Sequence, residues 1–309
     1  MSLAVDWAAY VVVRLLVAFV QTLPVDAGNR MCFGLGWFCC RVLKLRRRAT
    51  HTNLRQIFPE ATIQQHAALE MAMWHHLLLM VCEIAWAQRR LHRCNWSQSV
   101  RFYGSRTMLK HLLSERPTVI VTGHFGNFEI GGYLIGMLGV STTTIARKLD
   151  NVFLDRWVKR FRSAKGQQMV DKEGCAAEIE THLEGGGTLS ILADQHAGDK
   201  GCWVDFMGVP ASCHKALALF SLSSGAPMIV SYTCRDRDQP MKFVSGCVGV
   251  ADPSDDDQGV CGGVRPLTNW YNEQLTQAVA VAPPQYWWLH RRWRTPPPKV
   301  AKRLAKYAA

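Results

Sequence analysis

The chain has 309 residues, enough to bury a sizeable core in one large domain or two modest ones. Its hydrophobic share of 48% is that of an ordinary globular protein and excludes a polytopic membrane protein. Lys and Arg outnumber Asp and Glu by 36 to 24, a formal charge of +12, which favours anionic partners: nucleic acid, an anionic membrane face, or phosphorylated or acidic substrates. Of the eleven cysteines only Cys39 and Cys40 are adjacent, and no C-x-x-C occurs. Zinc-ribbon and thioredoxin-like chemistry are therefore not expected, and reduced thiols in a cytosol-facing protein are.

Residues 7–23 are almost wholly apolar, with Arg14 near the middle. A spanning helix needs about 20 such residues and a central charge is costly there. A secretory signal is not expected, since Asp6 stands where a basic start belongs. A short spanning helix, a helix lying in the membrane interface and an apolar core helix all stay open. Residues 31–48 run from M-C-F-G-L-G-W-F-C-C into R-V-L-K-L-R-R-R, an apolar, Trp-containing segment flowing into five basic residues. That is the pattern of an interfacial segment on the cytoplasmic side. The expected organisation is a membrane-anchoring helix at 1–24, a basic interfacial segment at 25–50 and a catalytic domain at 51–309.

Residues 62–92 carry apolar positions at helical spacing (Ala68, Met71, Trp74, Leu78, Cys82, Ala85). The pattern then changes. Short β-branched runs at 118–122, 141–146, 188–193 and 227–232 alternate with helix-like segments at 128–138, 151–164, 173–184 and 213–224. The alternation predicts an α/β domain with a mainly parallel central sheet flanked by helices. Such sheets carry their chemistry in loops just beyond the carboxyl ends of the strands. The polar stretch at 251–263 reads as a surface loop.

Three stretches carry candidate chemistry. G-H-F-G-N-F-E at 123–129 follows the 118–122 strand, where Gly123 and Gly126 permit a tight turn. His124 in that turn and Glu129 in the first helical turn are expected to converge as a general base and the carboxylate that orients it, with a structural pair as the bland alternative. Without a G-x-S-x-G elbow, an H-E-x-x-H motif or a Walker loop, such a base would act directly on a substrate hydroxyl. A-D-Q-H-A-G-D-K-G at 193–201 also follows a strand. It places Asp194 and Gln195 at the strand's end, ahead of Trp203, Phe206 and Met207, which line a greasy cleft or fold onto the core. Q-Y-W-W-L-H-R-R-W-R-T-P-P-P at 285–298 interleaves aromatics with arginines, as a membrane interface does, and carries no nucleic-acid-binding fold signature.

Taken in order, these stretches resemble the bacterial lipid A biosynthesis acyltransferases, the lauroyl and myristoyl transferases within the wider glycerolipid acyltransferase group. The resemblance rests on Asn53-Leu54-Arg55-Gln56-Ile57-Phe58-Pro59-Glu60, on the H-x4-E spacing of His124 and Glu129, on A-D-Q with its F-x-G-x-P loop at 193–210, and on the terminal Q-Y-x-W-x-H-R-R-W-R-T-x-P. It implies a glycerolipid-acyltransferase-like fold with an N-terminal membrane helix. It also implies transfer of a fatty acyl chain from acyl carrier protein or coenzyme A to a hydroxyl of a lipid A precursor or related glycolipid, at the cytoplasmic face of the inner membrane. No metal and no further cofactor are implied. His124 would be the base and Glu129 its orienter. Gly126 and Asn127 would be the oxyanion donors, and Arg162 or Arg147 would hold phosphates. Asp194 and Gln195 would bind substrate. A-R-K-L-D-N at 146–151 lacks the family's Tyr and Pro, which leaves the acceptor open, and His196 and His214 have no counterpart. Another lipid acceptor, or a non-catalytic lipid-binding homologue, are the competing readings.

Overall fold

The computed structural model describes residues 3–308 apart from 165, 173 and 258. Helix α1 (Leu3–Thr22) is followed by α2 (Val25–Trp37), which runs on through a π turn at Phe38–Val42. Next come α3 (Arg47–Ile57) and the long α4 (Ile63–Arg90), whose start is fixed by a capping box between Thr62 and Gln65. The α/β body then runs β1 (Val100–Tyr103), α5 (Ser105–Leu112), β2 (Thr118–Thr122), α6 (Phe128–Met137), β3 (Thr142–Ala146), α7 (Val152–Ser163), β4 (Gln167–Asp171), α8 (Ala176–Glu184) and β5 (Thr188–Leu192). A two-stranded antiparallel hairpin, β6 (Cys202–Phe206) and β7 (Val209–Cys213), interrupts the alternation. The chain closes with α9 (Ala216–Ser224), β8 (Met228–Arg235), β9 (Phe243–Ala251), α10 (Val264–Val281) and α11 (Pro298–Ala308).

The seven-stranded sheet has the order β1-β9-β8-β2-β5-β3-β4. From β8 to β4 every neighbouring pair is parallel, and the one antiparallel pair is β8 with β9. The mainly parallel α/β sheet expected from the alternation is therefore present. All four β-branched runs are strands and all four intervening segments are helices. Strand β2 sits in the middle of the sheet, buried on both faces. Its Val119 and Val121 join the larger core with residues of α8, α9 and α10. A second core gathers Leu79, Cys82 and Trp86 of α4 with Ile130, Tyr133 and Leu134 of α6.

The N-terminal helices dock on this body. Helix α2 packs on α4 through its small residues: a Cβ on Gly28 would lie 2.4 Å from the Trp86 ring, and one on Gly36 would lie 2.9 Å from the His75 amide nitrogen. Cys32 of α2 and Cys82 of α4 face each other there at 3.4 Å between sulfurs. The opposite side of α2 and its π turn exposes Phe33, Leu35, Trp37 and Phe38. Helix α1 lies along the body rather than projecting from it. Asn151 Nδ2 donates to Asp6 O at 2.8 Å, Tyr10 packs on Phe153, the Arg14 guanidinium sits 5.8 Å from the Trp157 ring, and Trp86 Nε1 donates to Val20 O at 2.7 Å. Its other face exposes Leu3, Trp7, Val12, Leu15, Leu16 and Phe19.

Of the two alternatives for the loop after Asp194, folding onto the core is the one present: Trp203 and Phe206 are buried, and Phe206 stacks on Trp293 with ring centroids 5.7 Å apart. Tyr286, Trp288 and Trp293 of the terminal aromatic stretch are buried too, so that stretch is core rather than membrane interface. Trp287 alone of that group faces a cavity.

Candidate active site

The parallel register of β2 and β5 builds the centre of the site. Thr122 is opposite Leu192, and the Ala193 amide donates to Thr122 O at 2.8 Å. The residues two positions beyond each pair, His124 and Asp194, therefore leave neighbouring strand ends side by side. His124 Nδ1 donates to Asp194 Oδ1 at 2.8 Å, and the His124 amide donates to Asp194 Oδ2 at 2.9 Å. Gly123 makes room for this approach, since a Cβ there would sit 3.2 Å from Asp194 Cγ. With Nδ1 committed, Nε2 is the free acceptor of the ring. It receives the Gln195 side-chain amide, Nε2 to Nε2 at 3.2 Å.

Asp194 is buried, and burial by itself would push its carboxyl up. The adjacent His124, by charge and by two hydrogen bonds, together with Arg292, outweighs burial and holds Asp194 at about 2. Arg292 is itself fully buried. Its guanidinium donates to Gln195 O at 3.2 Å and to Cys213 Sγ at 2.9 Å, and it lies 5.0 Å from the Phe206 ring. A second imidazole, His290, lies with its ring centroid 5.1 Å from that of His124 and stacks on Trp287. Burial, then the neighbouring His124, lowers its pKa to about 4, so it is neutral at physiological pH.

The Glu129 carboxylate pairs with Arg162 rather than with the His124 ring. Glu129 occupies the first turn of α6, and its carboxylate is gripped by Arg162 of α7, with Arg162 Nε to Glu129 Oε2 at 3.1 Å and a second contact from Nη2 to Oε1. The bidentate, charge-assisted geometry turns Glu129 towards α7, while the strand register delivers Asp194 to the ring. Gly126 and Asn127 are not free oxyanion donors either. The Gly126 amide is spent on Gln285 O at 2.9 Å and the Asn127 amide on Thr233 O at 2.7 Å. Asn127 instead caps α6, its Oδ1 accepting from the Ile130 amide at 3.2 Å. Gly126 is at φ +60°, and a Cβ there would lie 2.1 Å from Thr233 O.

His124 opens onto a cavity of about 880 Å³, within the size range of lipid and cofactor pockets. Its deeper wall is formed by Met108, Ile120, Ser190, Leu217, Phe220 and Tyr232; its polar side carries Glu129, Arg147, Arg162 and Lys172. Gln195 and His214 line it as well, whereas His196 packs edge-on against Trp203. Arg147 is exposed and weakly paired with Asp150 at 3.5 Å. Among the described residues, no group of three or more His, Cys, Asp or Glu side chains is gathered as a metal site.

The structure thus brings His124, Gln195, Glu129, Arg162 and Arg147 to one cavity, with Asp194 buried behind the His124 ring, while the Gly126 and Asn127 amides are spent within the fold. Sequence reasoning missed Arg292, His290 and Trp287 as parts of the site, although all three lie in the terminal aromatic motif. The family described as bacterial lipid A biosynthesis acyltransferase matches residues 1–295. The lipid A biosynthesis lauroyltransferase of Escherichia coli K12 is 25% identical over 310 residues, covering 96% of this chain and 94% of that protein. The palmitoleoyltransferase of the same organism is 22% identical, covering 82% and 81%. The lipid A biosynthesis acyltransferase of Haemophilus influenzae Rd is 24% identical, covering 90% and 88%. The crystal structure of the 1-acyl-sn-glycerophosphate acyltransferase PlsC from Thermotoga maritima aligns with 88% of this chain and all of its own, at 14% identity and a TM-score of 0.40. With the family matched across nearly the whole length, the chain belongs to the bacterial lipid A biosynthesis acyltransferases.

Proposed function

We propose that this acyltransferase moves a fatty acyl chain from a thioester carrier to a hydroxyl of a lipid A precursor, with His124 as general base and Asp194 as the carboxylate that orients it. The observation that carries the reading is His124 lining a cavity of about 880 Å³, with Nδ1 held by Asp194 at 2.8 Å and Nε2 met only by the Gln195 side-chain amide at 3.2 Å. The acceptor hydroxyl would displace the Gln195 amide from Nε2 and give up its proton there as its oxygen attacks the thioester carbonyl carbon. The tetrahedral intermediate collapses by breaking the C–S bond, and the imidazolium returns the proton to the thiolate. The Asp194 carboxylate offsets the imidazolium charge between the two steps. The displaced Gln195 amide, whose backbone carbonyl is held by Arg292, is the group placed to donate to the oxyanion.

Arg162, fixed by Glu129, and Arg147 at the cavity rim would bind phosphates of the acceptor. The acyl chain would lie against Ile120, Leu217, Phe220 and Tyr232, where each buried methylene contributes about 0.8 kcal/mol. We assign acyl carrier protein rather than coenzyme A as the donor. The net charge of +12 and the open hollow lined by Arg47, Arg48 and Arg55 support an acidic protein partner. Helix α1 makes polar contacts along its length and exposes a continuous apolar face, which supports a helix lying in the membrane interface, with the catalytic body on the cytoplasmic side.

The test is mass spectrometry of the membrane lipids of cells with and without this protein, paired with the His124→Ala variant. An added acyl chain on lipid A that depends on His124 is expected. An unchanged lipid A profile would overturn the acceptor, and full activity of His124→Ala would overturn the mechanism.

A further inference from the structure

The catalytic loop rests on a buried ion pair that none of the motifs marks. Glu83 of α4 and Arg235 at the end of β8 are almost wholly buried. Arg235 Nε donates to Glu83 Oε1 at 2.8 Å and Arg235 Nη2 to Glu83 Oε2 at 3.0 Å. The same carboxylate accepts from Asn127 Nδ2 at 3.1 Å and from the Met241 amide at 3.1 Å. The remaining Arg235 terminus, Nη1, lies 3.3 Å from Nδ1 of the buried His76, whose Nε2 is 3.1 Å from Gly126 O. With an arginine as the neighbour of Nδ1, His76 is neutral there: Nδ1 accepts, and Nε2–H donates to the loop carbonyl. Gln285 closes the circuit. Its side chain takes the Arg235 amide at 2.8 Å and gives to Arg235 O at 3.1 Å, while its own carbonyl accepts the Gly126 amide at 2.9 Å.

Every one of these bonds ends, directly or through one residue, on Gly126 or Asn127, the two residues that follow Phe125 and His124. A buried ion pair is a poor way to gain stability, because desolvating both charges costs about as much as their attraction returns. It is a good way to fix geometry, since an arginine fork accepts few arrangements of its partners.

We propose that Glu83, Arg235 and His76 are positioning residues for His124, a buried strut that sets the catalytic loop between the end of β2 and the start of α6 so that the imidazole meets Asp194 and the cavity together. The inference rests on the reading of His124 as the general base. Helix α4 carries two members of the strut seven residues apart, hence on one face, and so transmits the placement of the helical layer to the site. Glu83, Arg235 and His76 do not line the cavity onto which His124 opens.

The test compares steady-state acyl transfer by the full-length protein in detergent, with a purified acyl-carrier thioester and a lipid A precursor, for the wild type and five variants. Glu83→Gln strands the arginine, and the paired Glu83→Met, Arg235→Met substitution removes both charges and keeps a folded core to compare. The paired variant is expected to melt near the wild-type temperature, yet to lose about 10²-fold in kcat with KM for both substrates unchanged, the cost of a misplaced base. Its His124 ring, read by the 15N shift of Nδ1 in labelled protein, is expected to lose the signature of the Asp194 hydrogen bond. His76→Gln, which keeps a donor for Gly126 O, is expected to retain most of kcat, and His76→Leu to lose it. Wild-type kcat in the paired variant, or a loss in KM alone, would overturn the strut. Turnover surviving in His124→Ala would instead overturn the reading on which it rests, so the two failures are distinct.

Discussion

Asp194 holds His124 at two points, through ring Nδ1 at 2.8 Å and through the backbone amide at 2.9 Å, so one carboxylate sets both the tautomer of the ring and the path of the loop that carries it. A side chain that spans both sites leaves the imidazole little rotational freedom and directs Nε2 to the cavity side.

Asp194→Asn is therefore expected to reduce kcat by about 10³- to 10⁴-fold, as loss of the orienting carboxylate does in acid–base dyads and triads. Glu129→Gln, which loosens Arg162 but leaves the His124 ring held, is expected to act mainly on KM for the phosphorylated acceptor. Single-turnover and steady-state rates of the two variants decide the matter. A larger kcat loss in Glu129→Gln than in Asp194→Asn would reverse the assignment.

Gly126→Ala is expected to destabilise the fold and inactivate the enzyme together. Its φ of +60° costs a non-glycine residue about 1–3 kcal/mol, and the added Cβ meets Thr233 O at 2.1 Å, a backbone atom that cannot swing aside. The readout is a lowered melting temperature alongside lost turnover. A variant that melts like the wild type would show that the loop is not confined as described.

Stability is expected to fall as pH drops from about 6.5 towards 4 because His290 titrates late: its pKa in the folded protein is about 4 against 6.5 for a free histidine. In that window the unfolded chain binds a proton that the folded protein refuses, a slope of about 1.4 kcal/mol per pH unit for one fully unprotonated site, reduced here by its partial exposure. Asp194 acts in the same direction at lower pH. Its pKa is depressed to about 2, so its contribution is present above about 3.8 and disappears only as pH falls through 2. Denaturant melts of wild type and His290→Gln between pH 7 and 4 check this, with a flatter slope expected for the variant.

Acyl-chain selection is expected to follow the depth of the cavity. Ser190 lies in the middle of β5 and faces the cavity beside Ile191 and Leu192. Ser190→Phe fills that space and is expected to shift the preference to a shorter acyl donor with little change in kcat for it. Competition between acyl thioesters of different length measures the shift, and an unaltered preference would place the chain elsewhere.

Much of this protein is legible without coordinates. Alternating β-branched runs and helical spacing place four strands and four helices close to their observed bounds, because a buried parallel strand must be apolar throughout and the helices that cover it must be amphipathic. His124 and Asp194 are both visible as polar residues just past strand ends. Less visible are β1 and β4, whose V-R-F-Y and Q-Q-M-V-D lack an apolar run because they lie at the sheet's edges.

What the sequence by itself determined is the class of fold, the loops that carry the chemistry and the family. Which carboxylate meets the His124 ring was decided by tertiary structure alone. Glu129 is five residues away along the chain and Asp194 is seventy, yet the parallel pairing of β2 with β5 sets Asp194 against the ring, and Arg162 draws Glu129 away. The same holds for Glu83 and Arg235, which are 152 positions apart and anonymous in the sequence. Local pattern records which face of an element is apolar; it carries no record of which polar groups meet when two such faces are packed, because that depends on register and crossing geometry that only the assembled core enforces.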